Sequence, residues 1–181
     1  MDKLLAIYIS AAREMDAECE LLGQMLAGLT PAVRWAVRRT PTHAGAANPD
    51  LEALRASQFY LLLLGRDIVA PMGVEWMAAR DARLSAYAYR SAIAIPSPAA
   101  TAFARNAGAS WVSYASPLNL RRQVERTLIE TLIQGTPGYG LDLADIGALA
   151  ARLRQLEGEP PGPESEERRG AGRGGVILAR T

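Results

Sequence analysis

The run Gly65 to Glu75, GRDIVAPMGVE, places a carboxylate a few residues beyond Pro71 and directly after the most apolar stretch of the chain, FYLLLL at 59–64. A helix starting near Pro71 sets Glu75 close to its first turn, where free backbone N–H groups and the helix dipole favour an anion. A carboxylate fixed in that way can stabilise, or attack, an oxocarbenium-like sugar carbon while an N-glycosidic bond breaks. Arg13 and Arg66 carry guanidinium groups suited to the phosphates of a nucleotide. Ser10 adds a hydroxyl at the end of an apolar run. The same residue types have plainer uses: a glutamate near a helix start is common for the dipole alone, surface arginines are commonly solvated or ion-paired, and Ser10 can cap the helix that follows.

Other chemistries are poorly supplied. Cys19 falls on the apolar stripe of a helical segment and reads as a buried structural thiol rather than a nucleophile. His43 is the one histidine and has no second histidine or cysteine at ligand spacing, so no metal site and no Ser-His-Asp triad are expected. Neither G-x-x-x-x-G-K-[ST] nor G-x-G-x-x-G occurs, which argues against a P-loop ATPase and a Rossmann dehydrogenase. A phospho-receiver domain would want acids after the first strand and an aspartate ending the third, where this chain has SAAR and LLLLG. On a helical projection with Val74, Met77 and Ala78 facing inward, Trp76 points outward as a contact residue for a partner subunit or a neighbouring helix.

These residues need a frame, and the hydropathy pattern supplies one. LLAIYI, FYLLLL, AIAI and WVSY are apolar on consecutive positions, as strands covered on both faces are, while VRWAV alternates like an outer strand. Between them, Met15, Cys19, Leu22, Leu26 and Leu29 recur at helical spacing. Leu120, Val124, Leu128 and Leu132 do the same behind Ser116 as cap and Pro117 as first helical residue. Strand and helix alternate five times, which predicts an α/β, flavodoxin-like three-layer sandwich with a five-stranded parallel sheet in the order 2-1-3-4-5. Ligands of such sheets bind at the carboxyl ends of the strands, so Ser10, Arg13, Arg39, Arg66 and Glu75 are expected to be neighbours in space.

Residues 1–135 are expected to form this domain and 136–157 a hinge, GTPGYG, followed by an amphipathic helix with Leu143, Ile146, Leu149, Leu153 and Leu156 on one stripe. That helix either docks on the domain or pairs with another chain. Residues 158–175 are rich in proline, glycine and charge and read as a flexible linker, and VILART at 176–181 as the start of a following region. The chain's 181 residues carry a formal charge of +1, so no global field draws it to nucleic acid or an anionic membrane. With one cysteine, no secretory leader and no apolar run near the roughly 20 residues of a membrane span, a cytoplasmic protein is expected.

Ile9 to Glu18, ISAAREMDAE, and the segment SQFYLLLLGRDIVAPMGVEW resemble the TIR-like family of unknown function that opens bacterial NACHT or STAND-type signalling and defence chains. The first stretch matches a motif close to S-S-T-F-R-D-M-x-A-E at Ser10, Arg13, Met15, Ala17 and Glu18. It departs from that motif at Ala11 and Ala12, and Gln58 stands where an aspartate is usual. The likeness spans roughly residues 3–134. It implies a TIR-like fold, a domain that self-associates or serves a downstream sensor or ATPase region, and, in catalytic relatives, cleavage of NAD between nicotinamide and ribose. NAD would then be a substrate, with no resident cofactor, and Glu75 is the position that would inherit the catalytic role, with Ser10, Arg13 and Arg66 contacting the nucleotide. Many TIR relatives act only by self-association, and nucleoside deoxyribosyltransferases share the topology and also use a glutamate.

Overall fold

The structure, a computed structural model, describes residues 3–41, 48–135 and 139–158. Five parallel strands, β1 (Lys3–Ala11), β2 (Val33–Arg39), β3 (Phe59–Leu64), β4 (Ser85–Ser91) and β5 (Trp111–Tyr114), lie in the order β2-β1-β3-β4-β5. Each crossover carries a helix: α1 (Asp16–Leu29) behind a 3-10 turn (Arg13–Met15), α2 (Leu51–Arg55), α3 (Ala70–Asp81) and α4 (Pro98–Asn106). Helices α5 (Pro117–Gln134) and α6 (Leu143–Gly158) follow the last strand. This is the expected flavodoxin-like arrangement.

Strand alternation sorts the core into two layers. Ile7, Ile9, Leu61, Leu63, Tyr89 and Tyr114 face one way and pack with α1, α5 and α6. Tyr8, Tyr60, Leu62 and Ala88 face the other way and pack with α2 and α3. The register places Tyr8 beside Tyr60 and Ser10 beside Leu62, so Ser10 points to the α3 side. All six residues of β3 are buried, as expected of a central strand between two helical layers.

The helical stripes fall where the spacing put them. Met15, Cys19, Leu22, Leu26 and Leu29 are buried, as are Leu120, Val124, Leu128 and Leu132. Ser116 caps α5 through the Asn119 amide, with Pro117 in the first turn. Helix α6 docks on α5: Leu149 and Leu156 are buried, and Arg152 grips Glu125 through Nε and a terminal nitrogen at 2.6 and 3.1 Å. The helix extends to Gly158, where the linker was expected to begin. His43, residues 136–138 of the GTPGYG hinge, the linker beyond 158 and VILART lie outside the described residues.

Two expectations are corrected. The fourth strand is SAYAYRS at 85–91, and AIAI at 92–95 is the loop after it, with Ile93 67% and Ile95 85% exposed. The strand hides as alternating small and aromatic residues because its two faces meet different layers: Tyr87 and Tyr89 pack towards α5, and Ala86 and Ala88 fit under α3. Helix α3 is rotated relative to the projected phase. Met72, Glu75, Trp76, Ala78 and Ala79 are buried, Ala78 as expected, whereas Val74 and Met77 face outward. The projection chose the apolar Val74 and Met77 as the inward face; in the structure the inward face carries Glu75, held by hydroxyls from β1 and the end of β2, and Trp76.

Candidate functional site

Glu75 lies in the second turn of α3, past the first turn in which the dipole argument placed it. Its support comes from side chains. Tyr8 Oη donates to Oε1 at 2.8 Å, while Ser10 Oγ at 2.5 Å and Thr40 Oγ1 at 2.7 Å donate to Oε2. The glutamate and Ser10 are both fully buried. Three hydroxyls and no cation converge on this carboxylate among the described residues, and a carboxylate can accept from all three at once.

Each donor is placed by the sheet. Tyr8 and Ser10 share a face of β1, two residues apart, and Thr40 follows the last residue of β2. The Thr40 hydroxyl also accepts the Ala11 amide at 3.1 Å, so the ends of β1 and β2 and the middle of α3 meet at one point. Tyr60 stacks beside Tyr8 with ring centroids 6.2 Å apart, and its buried hydroxyl has no hydrogen-bond partner among the described residues. Burial, then the charge of Glu75, then the hydrogen bond to it hold the Tyr8 phenol far above its ordinary range. Burial does the same to Tyr60, with Glu75 adding to it and Ser10 opposing.

The arginines lie apart from this cluster. Arg13 is exposed on the 3-10 turn, and Arg39 pairs with Asp16 at 2.6 Å on the α1 side. Arg66 lines a cleft of 710 Å³ over the carboxyl ends of β3, β4 and β5, with Glu14, Glu18, Ile93, Ile95 and Tyr114. Gly65 and Ser91 lie in its floor and also in a neighbouring cleft of 540 Å³ against α4. Of the five residues expected to be neighbours, the structure brings together Ser10 and Glu75. Glu75 lines neither cleft.

Tyr8 and Thr40 are the site residues that sequence reasoning passed over. Tyr8 stands two positions before Ser10 and therefore on the same strand face, a usable signal. Thr40 follows β2, which the expected order already sets beside β1, so it too comes within reach once α3 is turned with Glu75 inward. The stretch linking the strand ends is also polar: Glu14 Oε1 accepts the Asp67 amide at 2.9 Å, and Ser97 Oγ donates to Asp67 Oδ1 at 2.7 Å. That hydroxyl, then the Ile68 amide, holds the exposed Asp67 carboxyl below its usual range.

Trp76, read from the sequence as an outward contact, is buried. Its indole N–H donates to the Ala107 carbonyl at 2.9 Å, and the Arg80 guanidinium sits 5.9 Å from its ring. Burial pushes the Cys19 thiol up to about 11, with Arg39 opposing, which leaves it protonated and poorly nucleophilic at neutral pH. Among the described residues no group of three or more His, Cys, Asp or Glu side chains is placed to hold a metal ion. No helix among them is long and apolar enough to cross a membrane. No protein-family model matches the chain, and no curated protein matches it significantly.

Proposed function

We propose that this chain is a TIR-like effector module in which Glu75 takes part in breaking the N-glycosidic bond of a nucleotide, with NAD as the substrate that the family resemblance implies. The observation that supports this reading is a carboxylate with no accessible surface, held by Tyr8, Ser10 and Thr40 and by no cation among the described residues. Burying a carboxylate without a cation costs folding energy that a leucine at the same place would not. Such groups concentrate where their charge is used. As the glycosidic bond lengthens, positive charge develops on the sugar carbon, and a fixed anion beside it lowers the barrier. Tyr8 and Ser10 orient the carboxylate from the rigid central strand. Thr40, at the end of β2, supplies the third donor.

The test is incubation of concentrated or artificially clustered protein with NAD and measurement of released nicotinamide. Turnover in the wild type that disappears in Glu75→Gln, with unchanged circular dichroism, supports the reading. Absence of turnover in the clustered wild type removes it.

A second reading, self-association in a signalling or defence chain without catalysis, is favoured by the outer face of α3. Val74 and Met77 are 50% and 65% exposed there, one turn apart. Sedimentation of Met77→Glu against wild type tests it, since Trp76 is not available on that surface.

A further inference from the structure

The cleft against α4 has a composition that the Glu75 cluster does not explain. Its walls carry Arg90 from the end of β4 and Arg105 from α4, with the hydroxyls of Ser91, Thr101 and Ser113, and no carboxylate. Strand parity sends Arg90 to this side. It pairs in register with Leu64 and Ser113, next along the α4-facing row from Ala88, and its Nε donates to Ser113 Oγ at 3.1 Å. On α4, Thr101 and Arg105 are one turn apart and share a face. Neither Arg90 nor Arg105 is ion-paired to a carboxylate among the described residues.

Two guanidinium groups on the walls of one cleft, with their remaining N–H groups directed by no acid, repel one another until an anion enters. Hydroxyls beside them supply the further donors that a phosphate accepts. The volume, 540 Å³, suits a small molecule rather than a polymer. Across the rim formed by Gly65, Ser91 and Ala94 the cleft continues into the 710 Å³ hollow. There the exposed Ile93 and Ile95 offer apolar surface, and Glu18 an acceptor for hydroxyl or amino groups.

We propose that this double cleft binds a phosphorylated small molecule of nucleotide type, with its phosphate between Arg90 and Arg105 and its body across the rim against Ile93 and Ile95. The proposal stands independently of catalysis at Glu75, because the two places share no lining residue. It also locates a phosphate on residues other than the Arg13 and Arg66 that the sequence suggested.

Isothermal titration of the whole chain with ADP, pyrophosphate and adenosine separates the contributions. ADP is expected to bind most tightly, adenosine about tenfold or more weakly, and each of Arg90→Gln and Arg105→Gln to weaken ADP by about tenfold or more, as loss of a charge-assisted contact does. Thr101→Glu, which adds a carboxylate to the wall without removing an arginine, should abolish ADP binding and serves if an arginine variant folds poorly. The proposal is overturned if ADP does not bind, if adenosine binds as well as ADP, if pyrophosphate equals ADP, or if the arginine and Thr101 variants bind ADP unchanged in folded protein.

Discussion

Thr40 Oγ1 donates to Glu75 Oε2 at 2.7 Å while accepting the Ala11 amide at 3.1 Å, so one hydroxyl joins three elements around a buried charge. Removing the carboxylate leaves the Tyr8, Ser10 and Thr40 hydroxyls without their acceptor inside the protein. Glu75→Ala is therefore expected to destabilise by about 2–4 kcal/mol in urea titrations, from orphaned donors and a cavity. Glu75→Gln keeps the volume and one acceptor oxygen and should cost less than half of that. Thr40→Val, nearly isosteric, should cost about 1–2 kcal/mol. Equal stability of Glu75→Leu and wild type would show that the hydroxyl cage adds nothing over apolar packing, which makes the functional reading of the charge stronger rather than weaker.

The buried phenols make a pH prediction. Burial raises Tyr8, Tyr60 and Tyr114 well above the ordinary value and pushes Tyr89 up to about 12. The unfolded chain releases these protons near pH 10 while the folded protein keeps them. Above about pH 10 the unfolded state thus binds fewer protons, and stability falls as pH rises. Below about pH 10 the full contribution is present. Each such phenol removes about 1.4 kcal/mol per pH unit in this window, ending for Tyr89 near 12. Urea midpoints at pH 9 and pH 11 should differ sharply, and Tyr8→Phe should flatten the alkaline slope while leaving the neutral region governed by its lost bond to Glu75.

The layers of the fold were legible because consecutive apolar residues and helical stripes report burial directly: the stripe through Met15, Cys19, Leu22, Leu26 and Leu29 is buried residue for residue. What failed were places where composition and burial disagree. β4 alternates alanine with tyrosine, so the more apolar AIAI beside it drew the assignment, and Arg90 at the true strand end went unnoticed. Glu75 and Trp76 both sit inside, and a reading that turns the apolar Val74 and Met77 inward rotates α3 by enough to invert Trp76. Thr40 is within reach of the expected order, which sets β2 beside β1; its pairing with Glu75 depends on the rotation of α3, which the projection misplaces.

Trp76 is a structural residue of the α3–α4 contact, and its variants should behave accordingly. Trp76→Phe loses the indole bond to Ala107 and is expected to cost about 1–2 kcal/mol. Trp76→Ala should cost about 3–5 kcal/mol. Thermal melts would read both. A Trp76→Ala protein as stable as wild type but altered in self-association would restore the surface role and contradict the observed burial.

Arg152 holds α6 to α5 through Glu125, whose side chain is 6% exposed against 33% for the arginine. Arg152→Ala strands a nearly buried carboxylate without its guanidinium, a loss of about 2–3 kcal/mol once the partial exposure of the arginine is allowed for. The Leu149 and Leu156 contacts remain, so α6 should loosen rather than the domain unfold. Hydrogen exchange should then quicken across 143–158 and stay unchanged in β3. Uniform acceleration through the sheet would instead mean that α6 and the domain form one cooperative unit.

Gly65 closes β3 where the strand end passes under the turn after β1. A Cβ there would lie 2.6 Å from Glu14 Oε1 and 2.7 Å from Met15 Sδ, closer than van der Waals contact allows. Glu14 Oε1 is the end of an exposed side chain and Met15 a buried but unbranched one, so Gly65→Ala should fold with Glu14 displaced and Met15 repacked. Displacement breaks the bond from the Asp67 amide to Glu14, the tie between the loops after β1 and β3. Alanine also restricts the unfolded chain, a gain of about 0.4–1 kcal/mol that offsets part of the loss. The net effect expected is a destabilisation of about 1 kcal/mol, the scale of one exposed charge-assisted bond plus local repacking. Faster exchange of the Asp67 amide, with the β3 amides unaffected, would locate the damage at the cleft wall. A rise in melting temperature with that amide still protected would show that Glu14 holds its place by other contacts and that the glycine is not needed for the close approach.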